Sequence, residues 1–162
     1  YGALGQILER GLYRLPAATL MNSPEFNLDP RLANDTHFLL EAPLCRIGLM
    51  DDARFPWLIL VPCVPLVREW PDLSSIQQVQ LQVEINAAAR ALQQAFPQGE
   101  KLNIAALGNV VPQLHIHVIL RHAGDAAWPK PVWGHGERQP YSSAAARETL
   151  SAIMVHWDLG DG

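Results

Sequence analysis

The segment that most constrains the fold is residues 113–120, in which polar and apolar side chains alternate. Side chains in a strand point to opposite faces in turn, so Gln113, His115 and His117 are expected to share one face. The residues of the other face are Leu114, Ile116, Val118 and Leu120. The apolar face predicts a buried strand, and polar groups on such a strand are costly unless each has a partner or a task. The segment therefore predicts a core strand and a candidate site.

The other elements predict an α+β domain with an antiparallel sheet of about five strands. Apolar runs separated by turn residues predict strands over His37 to Glu41, Leu44 to Met50 and Phe55 to Pro62. Two more are predicted over Leu102 to Leu107 and Leu114 to Arg121. An early run of strands, followed by helix, two strands and helix, favours α+β over an alternating parallel sheet.

Helical periodicity predicts two long helices. Ser74 and Gln77 have the spacing of a capping box, and the apolar stripe after them stops at Pro97 and Gly99. A second stripe predicts a C-terminal helix over residues 143–157. A short N-terminal helix is also expected, with an irregular connection over residues 16 to 36. The residues at helical spacing in that N-terminal stretch are Leu4, Ile7, Leu8, Gly11 and Leu12.

Composition restricts the class of protein. A length of 162 residues predicts a single domain over 1–162. The formal net charge of −4 argues against a protein that binds a nucleic-acid groove, but it does not argue against a nucleotide ligand. Cys45 and Cys63 form no Cys-x-x-Cys pair, so reduced thiols are expected. No apolar stretch approaches membrane-spanning length, and charges interrupt the first fifteen residues. We therefore expect a cytoplasmic protein without a membrane partner.

His115 and His117 have three interpretations. They could be structural histidines, hydrogen-bonded on a half-buried sheet face. They could bind a metal, but the four residues after His117 supply no further ligand, so no metal site is expected. They could instead perform phosphoryl-group chemistry. Imidazole has a pKa near ~6.5, so it is mostly unprotonated at neutral pH and able to attack phosphorus. The resulting nucleotidyl-imidazole is then opened by water.

The segment from Leu102 to His117 resembles the signature region of the histidine-triad (HIT) family. In that pattern, histidines alternate with apolar residues on a strand that follows a glycine- and amide-rich turn. Other segments resemble a bacterial, diadenosine polyphosphate hydrolase-like branch, so the resemblance covers about residues 30 to 135. These segments are residues 35–36, 49–51, 56–62 and 128–134.

The resemblance implies a nucleotide hydrolase or nucleotidyl transferase that acts at the α-phosphate without a cofactor, in a homodimer. The middle triad position, the nucleophile, is His115, and the last is His117. The first holds Gln113, which keeps a donor and an acceptor but cannot carry a proton as imidazolium. Diadenosine polyphosphates and nucleoside phosphoramidates are both admissible substrates. The alternative is a non-catalytic nucleotide-binding or scaffold protein of the same fold.

The resemblance also implies substrate-binding residues. Asn103, Gly108 and Asn109 match the region that supplies donors to phosphates, and such donors stabilise charge that grows at phosphorus. Asp51 matches a residue that contacts ribose hydroxyls. Turn chemistry is an equal explanation for Asn109 and for Asp51. The Trp128–Trp133 loop either covers the site or packs back on the sheet, and packing is the stronger expectation.

Overall fold

The computed structural model describes residues 25 to 159. Five strands form one sheet in the order β1-β2-β3-β5-β4, and every neighbouring pair is antiparallel. The strands are β1 (Thr36–Glu41), β2 (Cys45–Met50), β3 (Trp57–Pro62), β4 (Lys101–Ala106) and β5 (Ile116–Arg121). The predicted α+β fold is confirmed, and the strand bounds differ from the predicted ones by at most two residues.

Three helices accompany the sheet. They are α1 (Pro30–Asp35), α2 (Ser75–Ala95) and α3 (Ser143–Met154), with a 3-10 turn at Trp70–Asp72. The predicted capping box is confirmed: the Ser74 hydroxyl accepts from the Gln77 N–H, and the Gln77 side chain accepts from the Ser74 N–H. No helix within residues 25–159 is long and apolar enough to cross a membrane.

Two helix predictions need correction. The connection over residues 16 to 36 was expected to be irregular, but it contains α1, because Asp29 caps the Arg31 N–H and Pro30 occupies the first helical position. The C-terminal helix ends at Met154 rather than near residue 157, although Trp157 still packs against the core. The predicted N-terminal helix lies outside the described residues.

The sheet is buried on both faces. One face packs against α2 and α3, and its core members include Leu58, Leu60, Val118, Leu120, Leu81, Ile85, Leu92 and Ile153. The opposite face carries His117 and is covered by the chain around α1 and by the loop after β5. Its core members include Leu32, Phe55, Trp57, Ile59, Val61, Ile119, Ala127 and Val132. The site therefore lies on the sheet face without the long helices.

Strand β5 begins at Ile116, two residues later than predicted. Its ladder with β3 ends at the Leu60–Ile116 pair, and continued pairing would place Pro62, which has no N–H, opposite Leu114. The Leu114 N–H donates instead to the Val67 carbonyl over 3.1 Å. The prediction that residues 113, 115 and 117 follow one another on a strand face is therefore wrong, and of the three only residue 117 is in the strand.

The carboxylate of Glu84, on α2, is fully buried yet satisfied. Its oxygens accept from the Leu44 N–H at 2.8 Å and the Cys45 N–H at 2.9 Å, and the Gln80 side chain donates to it at 2.8 Å. Burial, and then the Glu84 charge, raise the pKa of the Cys45 thiol, which keeps it protonated. Glu84 thus ties the longest helix to the turn between β1 and β2.

We predict that Glu84→Ala lowers the free energy of unfolding by about 2–5 kcal/mol, because two buried N–H groups lose their acceptor. Urea denaturation measures the change. The matched control is Glu148→Ala on the exposed side of α3, which should shift stability by less than about 0.5 kcal/mol. Equal effects of the two substitutions would contradict the structural role given to Glu84.

Candidate active site

The imidazole of His115 is held by its own chain immediately before β5. Its Nδ1 lies 2.7 Å from the carbonyl oxygen of Gln113. A carbonyl oxygen can only accept, so Nδ1 carries the proton and Nε2 keeps a lone pair. Within residues 25–159 the only buried side-chain nitrogen or oxygen without a partner is Trp133 Nε1. His115 Nε2 has no hydrogen-bond partner among residues 25–159, and the residue as a whole is 6% exposed.

His117 is held in the opposite tautomer. The Trp57 indole N–H donates to His117 Nδ1 over 3.1 Å, inside the protein. An indole nitrogen is only a donor, so Nδ1 must accept and the proton of the neutral ring sits on Nε2. Burial, and then the neighbouring His115, lower the pKa of His117 to about 4, although the Leu107 carbonyl acts in the opposite direction. His117 is therefore a neutral donor at pH 7.

Aromatic rings enclose this pair of histidines. The rings of His115 and His117 meet edge to face with centroids 4.9 Å apart. Trp57 and Trp133 contact His117 at centroid distances of 5.5 and 5.4 Å and contact each other at 6.0 Å. The walls around His117 are thus apolar, while His115 keeps one open nitrogen. A lone-pair nitrogen beside a neutral N–H donor is an arrangement suited to attack on a phosphate ester or anhydride.

Gln113, which was predicted to occupy the first triad position, is turned toward the chain that enters α1. Its side-chain N–H donates to the Asn27 carbonyl, and its side-chain oxygen accepts from the Asp29 N–H, both over 2.9 Å. The amide therefore clamps residues 27–29 beside the site, while the backbone carbonyl of the same residue orients His115.

Asn103 lies on β4, on the same sheet face as His117, since it pairs with Ile119. Its side-chain oxygen accepts from Arg121 over 2.9 Å, so this atom supports a neighbouring side chain. Arg121 also makes a bidentate pair with Asp125, at 2.5 and 2.8 Å, and both side chains are only 2% exposed. Although burial raises it, the pKa of Asp125 is held at about 2 by Arg121.

The Arg121–Asp125 pair fixes the loop that follows β5. Arg121 donates to the Lys130 carbonyl as well, over 3.0 Å. The Trp128–Trp133 loop consequently packs on the His117 face of the sheet, with Val132 in the core beside Trp57. Trp133 contacts His117 directly, so the loop both packs on the sheet and borders the site.

Asp51 follows β2 and is engaged in a cluster of its own. Its Oδ1 accepts from the Tyr141 N–H over 2.9 Å and lies 2.8 Å from His37 Nε2. Its Oδ2 makes no hydrogen bond within residues 25–159 and is not buried. The structure therefore places Asp51 at the contact between the first two strands and the chain that leads into α3.

Gly108 and Asn109 lie in the loop between β4 and β5. Both are exposed, and the Asn109 side chain has no hydrogen-bond partner in the described part of the chain. A Cβ atom at position 108 would come within 3.2 Å of the Val111 carbonyl oxygen, which favours glycine there. The loop itself passes the site, because its first residue, Leu107, directs its carbonyl toward His117.

Two cavities lie in the neighbourhood of the histidines, although neither is lined by His115 or His117. A narrow cleft runs beneath α1, and Ile59 in its wall pairs with His117 across the sheet. Other residues of this wall are Leu28, Leu32, Phe38, Arg46 and Val61. A cavity of about 300 Å³ lies beside Gln113 and includes Phe26, Leu66, Arg68 and Pro112. No group of three His, Cys, Asp or Glu side chains in residues 25–159 is arranged to hold a metal ion.

Sequence reasoning missed the residues that organise the histidines. Trp57 and Arg121 were predicted only as members of strands, although Arg121 is almost fully buried. A signal was present for Trp57, because an indole N–H in a buried strand requires an acceptor. For Arg121 the signal was the acidic residue at position 125, four residues later in the chain.

Comparison with known proteins gives one family. A model described as HIT domain matches residues 31–124. A histidine triad protein structure from Bradyrhizobium japonicum is 43% identical, with a TM-score of 0.80, over 83% of this chain and 99% of that chain. A histidine triad protein structure from Sinorhizobium meliloti is 44% identical, with a TM-score of 0.79, over 81% of this chain and 96% of that chain. A third, from Marinobacter aquaeolei, is 43% identical, with a TM-score of 0.80, over 83% of this chain and 97% of that chain. No curated protein matches the chain.

We predict that His117 titrates near pH 4 rather than near 6.5, because protonation places a charge in a buried aromatic site. Between these values the unfolded chain binds a proton that the folded chain does not. The free energy of unfolding should therefore fall as the pH decreases through this window, by up to about 3 kcal/mol. Ring signals in an NMR titration give the midpoint, and a midpoint above 6 would contradict the prediction.

We predict that Asp125→Ala lowers the free energy of unfolding by about 3–5 kcal/mol, since it leaves the Arg121 charge buried without its partner. Thermal or urea unfolding provides the measurement. The control is Asp35→Ala, which removes the carboxylate of an exposed pair with Arg138 and should cost at most about 1 kcal/mol. Similar losses in both variants would show that the loop does not depend on the buried pair.

Proposed function

The chain belongs to the HIT domain family, whose members are generally nucleotide-binding hydrolases or transferases, and on that premise we propose that it cleaves nucleotide phosphate bonds through a nucleotidyl-His115 intermediate. The observation that carries the proposal is the pair of opposite tautomers. His115 presents an open lone pair on Nε2, and His117 presents a neutral N–H donor beside it.

The first step forms a bond between His115 Nε2 and the α-phosphorus, and the bond to the leaving group breaks with its electron pair. Positive charge grows on the imidazole as it attacks, and the Gln113 carbonyl stabilises the charge through the Nδ1 proton. His117 donates from Nε2 to a phosphate oxygen. Asn103 and the backbone around Gly108 and Asn109 add donors on the β4 side.

The second step releases the product. Water attacks the α-phosphorus, the phosphorus–nitrogen bond breaks, and His115 Nε2 regains its lone pair. A nucleoside monophosphate leaves, and the proton of the attacking water passes to solvent. An alcohol or amine acceptor in place of water would make the same site a nucleotidyl transferase. Splitting the displacement into two steps replaces one difficult step with two easier ones.

The two cavities suit the two parts of such a substrate. The cleft beneath α1 contains the half-exposed ring of Phe38, which the Arg46 guanidinium also contacts, as a surface for a base. Asp51 does not line this cleft, and its Oδ2, which accepts from no residue among 25–159, is the group proposed to bind ribose hydroxyls. The cavity beside Gln113 has room for the leaving group, but its lining combines Arg68 with Glu25 and Asp29 and therefore has no net positive charge. Since Gln113 cannot supply a proton, a phosphate leaving group, stable as an anion, is favoured over an amine. A nucleoside polyphosphate such as diadenosine tetraphosphate fits this requirement.

The proposal includes a homodimer joined at β4. This strand is at the edge of the sheet, so one side of its backbone is unpaired within residues 25–159. Ile104 on β4 and Leu107 after it are exposed apolar residues next to that edge. Pairing of two copies there would cover both features while leaving the His117 site outside the contact.

We predict that His115→Ala abolishes the trapped adenylyl adduct and lowers turnover of diadenosine tetraphosphate at least about 10³-fold, because no other described group replaces the nucleophile. Quenching during turnover, followed by mass spectrometric mapping, locates the adduct. An adenosine phosphoramidate assayed in parallel should react more slowly than the anhydride.

The control for this experiment is His135→Ala, which removes an exposed histidine from the loop before α3 and should leave the adduct and the rate unchanged. An adduct on a residue other than His115, or activity lost on chelation, would overturn the mechanism. Nucleotide binding by the wild-type chain without any adduct or product would identify the protein as a non-catalytic binder of the same fold.

A further inference from the structure

We propose that Trp57 is a positioning residue that fixes His117 as the tautomer with its proton on Nε2. The inference rests on the proposed function in one respect, since the purpose of that proton is to hydrogen-bond the phosphate. The tautomer itself is a property of the protein without substrate. It can therefore be measured whether or not the reaction is the one proposed above.

The geometry leaves Trp57 little freedom. It is the first residue of β3 and pairs with Ile119 of β5, two residues from His117 on the same sheet face. Its side chain is buried, with 5% exposure, and its N–H has no acceptor other than His117 Nδ1 in the described part of the chain. Breaking this bond would leave a buried donor unpaired, so the strand pairing and the hydrogen bond reinforce each other.

The other groups around the His117 ring either agree with this assignment or do not influence it. The Leu107 carbonyl faces the ring and can only accept, which is consistent with a proton on Nε2. Trp133 contacts the ring edge to face but makes no hydrogen bond with it. Among residues 25–159, His115 is the titratable side chain that contacts the ring, and its own Nδ1 is committed to the Gln113 carbonyl.

The consequence for the reaction is electrostatic. Without the Trp57 N–H, His117 Nδ1 would be free to take up a proton, and the ring would become a cation at higher pH. A cation 4.9 Å from His115 would oppose the positive charge that grows on the attacking imidazole. Trp57 thus has two effects on His117: it keeps the proton on Nε2, where the ring can donate, and it keeps the ring uncharged. A residue beside a neutral nucleophile needs both properties.

The test compares ring ¹⁵N and ¹³C shifts of His117 in three proteins at neutral pH. The wild type should show a single tautomer protonated at Nε2. Trp57→Phe should show exchange between the two tautomers and a higher pKa of His117. Trp133→Phe removes a ring that touches His117 without a hydrogen bond, and it should retain the wild-type tautomer. A Trp57→Phe protein that keeps the single Nε2–H tautomer would overturn the inference.

A second variant covers the case in which Trp57→Phe does not fold. Replacement of Trp57 alone by β-(3-benzothienyl)alanine keeps the bicyclic shape and exchanges the N–H for sulfur. It should show the same mixture of tautomers, and kcat should fall roughly fivefold with little change in KM, as for loss of one hydrogen bond. The acid limb of the kcat profile should move to higher pH. An unchanged profile and tautomer would again overturn the inference.

The outcomes separate this inference from the proposed function. A wild-type protein that turns over no nucleotide but holds His117 in a Trp57-dependent tautomer contradicts the function alone. A protein that forms the His115 adduct but holds its tautomer independently of Trp57 contradicts the positioning role alone.

Discussion

The pairing of β3 with β5 is the interaction on which the rest of the site depends. It places Trp57 opposite Ile119 and Ile59 opposite His117, so an indole and an imidazole from distant parts of the chain come within hydrogen-bonding distance. The same strands are buried along their full length on both faces. Burial on the helix side fixes the position of β5, and this rigidity allows a polar pair on the other face to keep its geometry.

Each histidine of the site is oriented by a group that can act in only one way. The Gln113 carbonyl can only accept and the Trp57 indole can only donate, so the two rings carry their protons on opposite nitrogens. Neither tautomer depends on a titratable partner. A site built in this way keeps the lone pair of His115 and the N–H donor of His117 distinct without a buried carboxylate and the pH dependence that a carboxylate would bring.

Features of the fold that depend on residues close together in the chain could be predicted from the sequence. The five strands, the Ser74–Gln77 capping box and the α+β order depend on residues close together in the chain, and the structure confirms them. The start of β5 was missed because it depends on Val67, far away in the sequence. The orientation of Gln113 was missed for the same reason, since its partners lie 84 and 86 residues earlier. The histidine spacing located the site, but side chains from other strands and loops determine its protonation.

Gln113 connects the segment before α1 with His115. Its side-chain amide bonds the Asn27 carbonyl and the Asp29 N–H, and its backbone carbonyl oxygen orients the His115 ring. An imidazole at this position could not reproduce that span, because its donor and acceptor nitrogens diverge from opposite sides of a rigid ring. A residue at position 113 can therefore either donate a proton, as an imidazole would, or connect these two segments, as this glutamine does. In this chain one residue therefore fixes both the entry to α1 and the orientation of the His115 ring.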